Sequence, residues 1–247
     1  MTDQRAPERG TSEPEATVTQ GKRRSAGAVW LRETAIILVS AFILSFLVKT
    51  FLVQAFFIPS ASMEDTLVEG DRVLVSKLTP GPFDLHRGDI VVFKDPGGWL
   101  PSSSTADQGA VAEKVSQALT WVGLLPQDSG EHLIKRVIGL PGDRVASEGS
   151  GEPVTVNGVA IDEPYVAQGV SPSDISFDIT VPEGYVWVMG DNRSDSADSR
   201  YHLGDPGGGS IPIDNVVGMT FIKVWPFDRL GLLRNPSETF TEVPDPS

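Results

Sequence analysis

The sequence predicts a mainly β fold, an antiparallel sandwich or barrel-like domain preceded by one transmembrane helix. Two observations carry this prediction. After Ser60 the chain contains many short runs that alternate or are rich in β-branched residues, separated by Gly, Pro, Asp and Asn, and such spacing is typical of sandwiches and barrels. Before these runs lies a single long apolar segment. The clearest predicted strands are RVLVSKL, DIVVFK, HLIKRVI, YVWVMG and VVGMTFIKVW.

The apolar segment covers residues 28–57 and is densest over Thr34–Val48. Its uncharged part, between Glu33 and Lys49, is shorter than the span of about 20 residues that a bilayer needs, but a lysine near the interface can extend its ammonium to water. A transmembrane anchor is the favoured interpretation. A buried core helix and a cleaved signal peptide are the alternatives. The signal peptide is disfavoured because the run is long and no small-residue cleavage site follows it.

Charge is distributed unevenly around this segment. Residues 1–33 carry six Lys/Arg and five Asp/Glu, a charge of +1, whereas residues 34–247 carry fourteen and twenty-eight, a charge of −14. Basic residues before a span keep that end in the cytoplasm. We therefore expect a single pass through the plasma membrane, with a cytoplasmic N-terminus and an extracytoplasmic acidic body. The basic residues before the span are Lys22, Arg23, Arg24 and Arg32.

Composition divides the chain into four parts. Residues 1–27 are polar without apolar periodicity and are predicted to be disordered. The anchor at 28–57 is followed by a β domain at 58–230, which carries a surface insertion at about 97–131. Within the insertion, Ala110–Val122 has apolar residues at helical spacing. Residues 231–247 are polar and are predicted to form a flexible tail.

Composition also excludes several classes of chemistry. The chain has no cysteine, which excludes disulfides, a thiol nucleophile and a thiolate metal site. The net charge of −13 argues against nucleic acid as a partner, because phosphate binding needs a basic face. No H-E-x-x-H or comparable metal-ligand spacing occurs. We expect neither a metal nor an organic cofactor.

Serine and lysine remain as a pair for covalent catalysis. A Ser-His-Asp triad needs a histidine, and His86, His132 and His202 have no G-x-S-x-G elbow to serve. A lysine can take the place of histidine when burial lowers its pKa. Lys135 lies in the apolar run Leu133–Ile138, which could desolvate its ammonium. A lysine that protects an edge strand from aggregation is an equally good interpretation of the same residue.

Two polar segments complete the candidate chemistry. Ser62 lies in Pro-Ser-Ala-Ser-Met, directly after the apolar segment, and taken alone this is a loop like many others. Met189–Arg200 is dense in Asp, Ser and Arg. It fits a solvated turn, or a network that fixes a catalytic loop; a calcium loop is a weaker match because the EF-hand pattern is missing.

Three motifs occur in a fixed order behind the anchor. Pro59–Leu67 matches Pro-Ser-x-Ser-Met-x-x-Thr-Leu, and Lys135–Asp143 matches Lys-Arg-x-x-Gly-x-Pro-Gly-Asp. Gly190–Arg200 matches Gly-Asp-Asn-x-x-x-Ser-x-Asp-Ser-Arg. Together they resemble the boxes of the bacterial type I signal peptidases, and the resemblance covers Val53 to Phe227.

The resemblance implies a role for each matched residue. Ser62 corresponds to the nucleophile and Lys135 to the general base. The Ser60 hydroxyl would join the oxyanion hole, and Ser196 would orient the lysine by a hydrogen bond. The loop-stabilising positions are Asp191, Arg193, Asp198 and Arg200. The substrate-binding positions are Phe56, Ile58, Pro59, Met63, Leu67, Leu133 and Ile134.

The same resemblance implies a membrane-anchored endopeptidase that removes N-terminal signal peptides from exported preproteins. It would cut after small residues in an Ala-x-Ala pattern. The implied partners are signal-peptide-bearing preproteins, the lipid bilayer and the protein-export machinery. Two other interpretations remain, a non-catalytic β domain that binds exported chains and a cytosolic self-cleaving Ser/Lys protease. The presence of both Ser62 and Lys135 argues against the first, and the anchor argues against the second.

Overall fold

The computed structural model describes residues 26–100 and 132–246. Most of the predicted disordered N-terminus lies outside these ranges, as do most of the predicted insertion and its helix at Ala110–Val122. The chain divides between residues 43 and 44 into two compact units.

Helix α1 runs from Ala26 to Phe51. Its part Trp30–Phe51 has 22 residues and a mean hydropathy of 2.1, and its most apolar window is unburied. Such a helix is about 33 Å long, which suffices to cross the hydrocarbon core of a bilayer. The hydroxyl of Ser40 donates to the carbonyls of Ile36 and Ile37 at 2.8 and 3.0 Å, so this polar group is satisfied inside the helix. The predicted apolar helix is therefore present.

The helix ends before the predicted anchor does. The anchor was expected to reach residue 57, but Val53–Phe57 forms strand β1 and pairs antiparallel with strand β2, Arg72–Ser76. Phe56 is buried in the core of the β domain while its neighbour Phe57 stays exposed, the two-residue period of a strand. The expectation was wrong here because a short apolar run has the same composition in a helix and in a strand, and pairing with β2 decides between them.

Two antiparallel sheets make up the rest of the described chain. The larger has the order β1-β2-β11-β3-β4-β9-β10, with β12 paired to β11, and the smaller has the order β7-β6-β5-β8. The mainly antiparallel β fold is confirmed. The remaining strands are β3 Ile90–Lys94, β4 His132–Gly139, β5 Arg144–Ser147, β6 Thr155–Val156, β7 Val159–Ala160, β8 Phe177–Thr180, β9 Tyr185–Met189, β10 Ile211–Pro212, β11 Val216–Trp225 and β12 Gly231–Leu232.

The larger sheet is buried on both faces. Along β3, Ile90 and Val92 pack with Phe56 in one hydrophobic cluster, while Val91 and Phe93 pack in another. Because successive side chains of a strand point to opposite faces, this split places apolar layers on both sides of the sheet. A third cluster, around the buried Trp187, joins β9 of this sheet to the smaller sheet. The central strands β3 and β4 are thus the most protected positions for a functional side chain.

The C-terminal segment is packed against the β domain rather than flexible as expected. Phe240 and Val243 are both buried in the cluster that contains Trp187. Asn235 Nδ2 donates to Asp89 Oδ1 at 2.6 Å and to the carbonyl of Arg87 at 3.0 Å. The polar composition of residues 231–246 obscures these few anchoring side chains, and for that reason the sequence suggested a free tail.

Candidate active site

The predicted nucleophile lies in a short 3₁₀ turn, Ala61–Met63, that follows strand β1. Asn192 holds this turn from the third motif: its N–H donates to the carbonyl of Ser62 at 3.1 Å, and its Nδ2 donates to the carbonyl of Ala61 at 3.1 Å. Met63 is fully buried beneath the turn. The first and third motifs, 128 residues apart from Ser62 to Gly190, are therefore joined through their backbones.

Lys135 is 3% exposed and lies on β4, an interior strand of the large sheet. Val91 of β3 is its partner on one side, and β9 pairs with β4 on the other. This placement excludes the alternative of an edge-strand lysine. The Nζ atom of Lys135 lies 2.5 Å from the Oγ atom of Ser62, so the structure brings the two predicted catalytic residues into contact.

Burial changes the acidity of this lysine. Desolvation lowers the pKa of Lys135 from 10.5 to about 8, against the opposing effect of the nearby carboxylates of Asp198 and Asp191. A substantial fraction of the amine is neutral near pH 8, and a neutral amine can accept the proton of a serine hydroxyl.

The third motif is a buried network around Asp198. Its carboxylate accepts hydrogen bonds from Arg200 Nε and Nη2 at 2.9 Å each and from the N–H of Gly190 at 2.9 Å. Burial by itself raises the pKa of Asp198, but the bonds and charge of Arg200 outweigh it and the pKa is lowered. The carboxylate is therefore ionised at neutral pH. Asp198 and Arg200, predicted to stabilise the loop, therefore form a buried ion pair within the third motif.

Ser196 is bound differently from the prediction. Its hydroxyl donates to Asp198 Oδ2 at 2.8 Å, and within residues 26–100 and 132–246 no hydrogen bond joins it to Lys135. The physical reason is that an ionised carboxylate two residues away is a stronger acceptor than an amine. Ser196 nevertheless borders the dyad, because its Oγ and the carbonyl of Ser62 crowd the Cα atom of Gly190 so closely that no Cβ would fit there.

The other two predicted loop-stabilising residues also form buried ion pairs. The carboxylate of Asp191 accepts hydrogen bonds from Arg136 Nε and Nη2 at 2.8 and 2.6 Å, and from the hydroxyl of Thr66 at 2.5 Å. Arg193 pairs with Glu163. Burial by itself lowers the pKa of Arg193, but the charge of Glu163 outweighs it and raises the pKa further above its usual range.

Sequence reasoning missed the partners Arg136, Glu163 and Tyr165. Arg136 adjoins Lys135 within the second motif, so the motif itself could have pointed to it. Glu163 and Tyr165 lie outside all three motifs, in a loop after strand β7, and nothing in their local sequence indicates that Glu163 pairs with Arg193 or that Tyr165 contacts Arg136.

The predicted substrate-binding residues fall into three groups. Phe56, Ile58 and Ile134 share one cluster close to the nucleophile loop and are nearly buried. Pro59 is exposed beside Ser60, whose Oγ lies 3.4 Å from Ser62 Oγ.

The third group comprises Met63, Leu67 and Leu133. Met63 and Leu67 are 0% exposed and belong to the same buried cluster as Phe56 and Ile58. Leu133 packs against a different cluster from Ile134, because alternate residues of β4 point to opposite faces.

No group of three or more His, Asp and Glu side chains is arranged to hold a metal ion in the two described ranges.

The sequence was compared with known families and proteins. It matches the family described as signal peptidase, peptidase S26, over residues 31–225. The chain belongs to the signal peptidase family, peptidase S26. It is thus a serine-type peptidase that removes signal peptides, and its N-terminal apolar helix, long enough to cross a bilayer, is consistent with a membrane anchor.

Named relatives agree with this assignment. A "Probable signal peptidase I" of Mycobacterium leprae is 38% identical over 87% of this chain and 81% of its own length. A "Signal peptidase I" of Mycobacterium tuberculosis is 37% identical over 87% and 80%. A solved signal peptidase I from Enterococcus faecalis shares 25% identity over 56% of this chain and 97% of its own, with a TM-score of 0.35, which is too low to support the assignment.

Proposed function

We propose that the chain cleaves signal peptides by attack of Ser62 on the scissile carbonyl, with Lys135 as the general base. The single observation that supports this most strongly is the 2.5 Å contact between a serine hydroxyl and a lysine amine whose pKa burial lowers to about 8. Neither a cytosolic self-cleaving protease nor a non-catalytic β domain accounts for both this contact and the family assignment.

The proposed reaction begins at the contact between Ser62 and Lys135. As Ser62 Oγ bonds to the carbonyl carbon, Lys135 Nζ accepts its proton, and the carbonyl oxygen becomes an oxyanion. The Ser60 hydroxyl and the Ser62 N–H are the donors we assign to it. Lys135 then gives the proton to the leaving amine as the C–N bond breaks. In the second half of the reaction a water gives a proton to Lys135 Nζ and its oxygen bonds to the acyl carbon. The bond from that carbon to Ser62 Oγ then breaks, and Lys135 returns the proton to Ser62 Oγ.

Substrate preference is part of the proposal. Phe56, Ile58 and Ile134 are buried in one apolar cluster, which also contains Met63, the residue after Ser62. We assign them to the pockets that receive the residues before the cut, with a preference for Ala-x-Ala. Pro59 lies at the exposed end of the same surface.

Location is also part of the proposal. Strand β1 begins two residues after α1 ends, and Ser62 follows β1 by five residues, so the nucleophile lies close along the chain to the membrane segment. We assign the N-terminus to the cytoplasm and the β domain to the outer side, as the basic residues before the helix imply. Preproteins would reach the site from the protein-export machinery.

The test is cleavage of a synthetic signal-peptide substrate by the full chain in detergent. Ser62→Ala and Lys135→Ala should each reduce kcat to background, and the double variant should lose no more than either single variant, because the two groups act in one step. Asp178→Asn, at an exposed ion pair of the small sheet, is the matched control and should retain wild-type turnover. Near-normal turnover in folded Lys135→Ala would refute the dyad.

A further inference from the structure

Glu163 is a buried carboxylate outside the three motifs. Its side chain is 4% exposed and accepts hydrogen bonds from both terminal nitrogens of Arg193, whose own side chain is 1% exposed. The hydroxyl of Tyr165 donates to the same carboxylate at 2.8 Å. The loop after β7 thus supplies a fully enclosed acidic group to the third motif.

Arg193 transmits the position of Glu163 to the catalytic loop. Its Nε donates to the carbonyl of Gly190 at 3.0 Å, and its Nη1 donates to the carbonyl of Pro172 at 2.8 Å. All three nitrogens of the guanidinium therefore have acceptors. The guanidinium is planar and buried, and its two hydrogen bonds to the carboxylate of Glu163 fix its orientation.

Gly190 lies where the third motif meets the turn that carries Ser62. Its N–H donates to Asp198, and its Cα atom lies against the carbonyl of Ser62 and the hydroxyl of Ser196. A rotation of the backbone at Gly190 would therefore move the Ser62 turn relative to the strand that carries Lys135. The carbonyl held by Arg193 belongs to the following peptide plane, Gly190–Asp191, which shares the Gly190 Cα atom with the plane whose N–H binds Asp198.

Tyr165 provides a second connection. Its ring lies 4.0 Å from the guanidinium carbon of Arg136, a cation–π contact, and Arg136 pairs with Asp191. Asp191 also binds the hydroxyl of Thr66, four residues after Ser62. Burial, followed by the charge of Glu163, raises the pKa of Tyr165 well above its usual value, so the phenol stays protonated and donates to the carboxylate.

We propose that Glu163 is a positioning residue for catalysis, holding the Gly190 peptide through Arg193 and thereby the contact between Ser62 and Lys135. This inference rests on the proposed dyad. The smaller sheet and the loop after β7 contribute no residue to the three motifs. Under this proposal, that loop nevertheless influences the rate of the chemical step through Glu163. The assigned substrate-binding side chains Phe56, Ile58 and Ile134 belong to one apolar cluster, whereas Tyr165, in the same loop as Glu163, packs against another, so substrate binding should be little affected.

The experiment compares steady-state kinetics of the full chain with Glu163→Gln, Arg193→Gln and the double substitution. Glutamine keeps the shape of Glu163 and removes its charge. We expect kcat of Glu163→Gln to fall about 10- to 100-fold, since small displacements of reacting groups have effects of that size, with KM within about threefold of wild type. The double variant should be no slower than the slower single variant, because both residues act through one contact. Asp178→Asn is the control, and thermal melts confirm that each protein is folded at the assay temperature.

Wild-type kcat in folded Glu163→Gln would overturn the proposal, as would independent, multiplying losses in the double variant. If Glu163→Gln fails to fold, Tyr165→Phe carries the test: it removes one hydrogen bond from the same carboxylate, and a lowered kcat at constant KM supports the proposal whereas wild-type kcat overturns it. Lys135→Ala is measured in parallel. Turnover retained there refutes the dyad, whereas an inactive Lys135→Ala beside a fully active Glu163→Gln refutes only the positioning role.

Discussion

The Asp198→Ala substitution should lower the free energy of unfolding by about 3–5 kcal/mol, the usual cost of removing one partner from a buried ion pair. Asp198 is 0% exposed, and Arg200, which is 3% exposed, donates to it through Nε and Nη2. Alanine leaves this guanidinium buried without its carboxylate. It also leaves the N–H of Gly190 and the hydroxyl of Ser196 without their acceptor.

This loss is large beside the about 5–15 kcal/mol that stabilises a typical protein. For a domain of this size, each 1 kcal/mol shifts the melting temperature by about 2–4 °C, so the expected decrease in Tm is about 6–20 °C. A double variant, Asp198→Ala with Arg200→Met, should recover part of that decrease because no unpaired charge then remains buried.

The assay is a thermal melt of the detergent-purified chain at pH 7, followed by near-ultraviolet circular dichroism. Asp178→Ala is the matched control: it also breaks an arginine–aspartate pair, but Arg144 and Asp178 are 62% and 56% exposed, and Tm should not change. A Tm of Asp198→Ala within about 2 °C of wild type would refute the structural role assigned to this pair.

Three further outcomes follow from the site and the anchor. Ser196→Ala should lower kcat about 10- to 100-fold without abolishing it, because Asp198 loses one of its several hydrogen-bond donors. The measurement is turnover at saturating substrate, and either an unchanged kcat or a complete loss of activity would contradict the prediction. Gly190→Ala should remove activity because its Cβ would overlap Ser196 Oγ and the Ser62 carbonyl, whereas Gly204→Ala, with open space around the added atom and no positive φ, should stay active. A tag before Lys22 should be protected from protease in right-side-out vesicles while the β domain is digested; digestion of both from outside would reject the assigned orientation.

The elements that sequence predicted well are those set by local pattern. The strands of the large sheet appear because their alternation is strong, and Ser62 and Lys135, which the structure brings into contact, could be singled out because each lies in a recognisable motif. The burial of Lys135 was foreseeable from its apolar neighbours. Its interior position was not, since strand order depends on pairing between segments far apart in sequence.

The features that sequence did not predict depend on long-range contacts. β1 looked like the end of the anchor because its pairing with β2 is invisible in its composition. The C-terminal segment looked free because two buried side chains, Phe240 and Val243, are diluted among polar residues. Glu163 and the acceptor of Ser196 are known only from the arrangement of side chains around the third motif.

The most direct test of the central claim is the dependence of kcat/KM on pH, measured with a signal-peptide substrate that has no group titrating between about pH 6 and 10. Ser62 needs a neutral amine, and the folded pKa of Lys135 is lowered to about 8. Activity should therefore be low in acid, rise with pH and reach half its maximum near pH 8. A profile that is flat from about pH 6 to 10, or a midpoint near the ordinary lysine value of about 10.4, would contradict a buried, neutral Lys135 as the base.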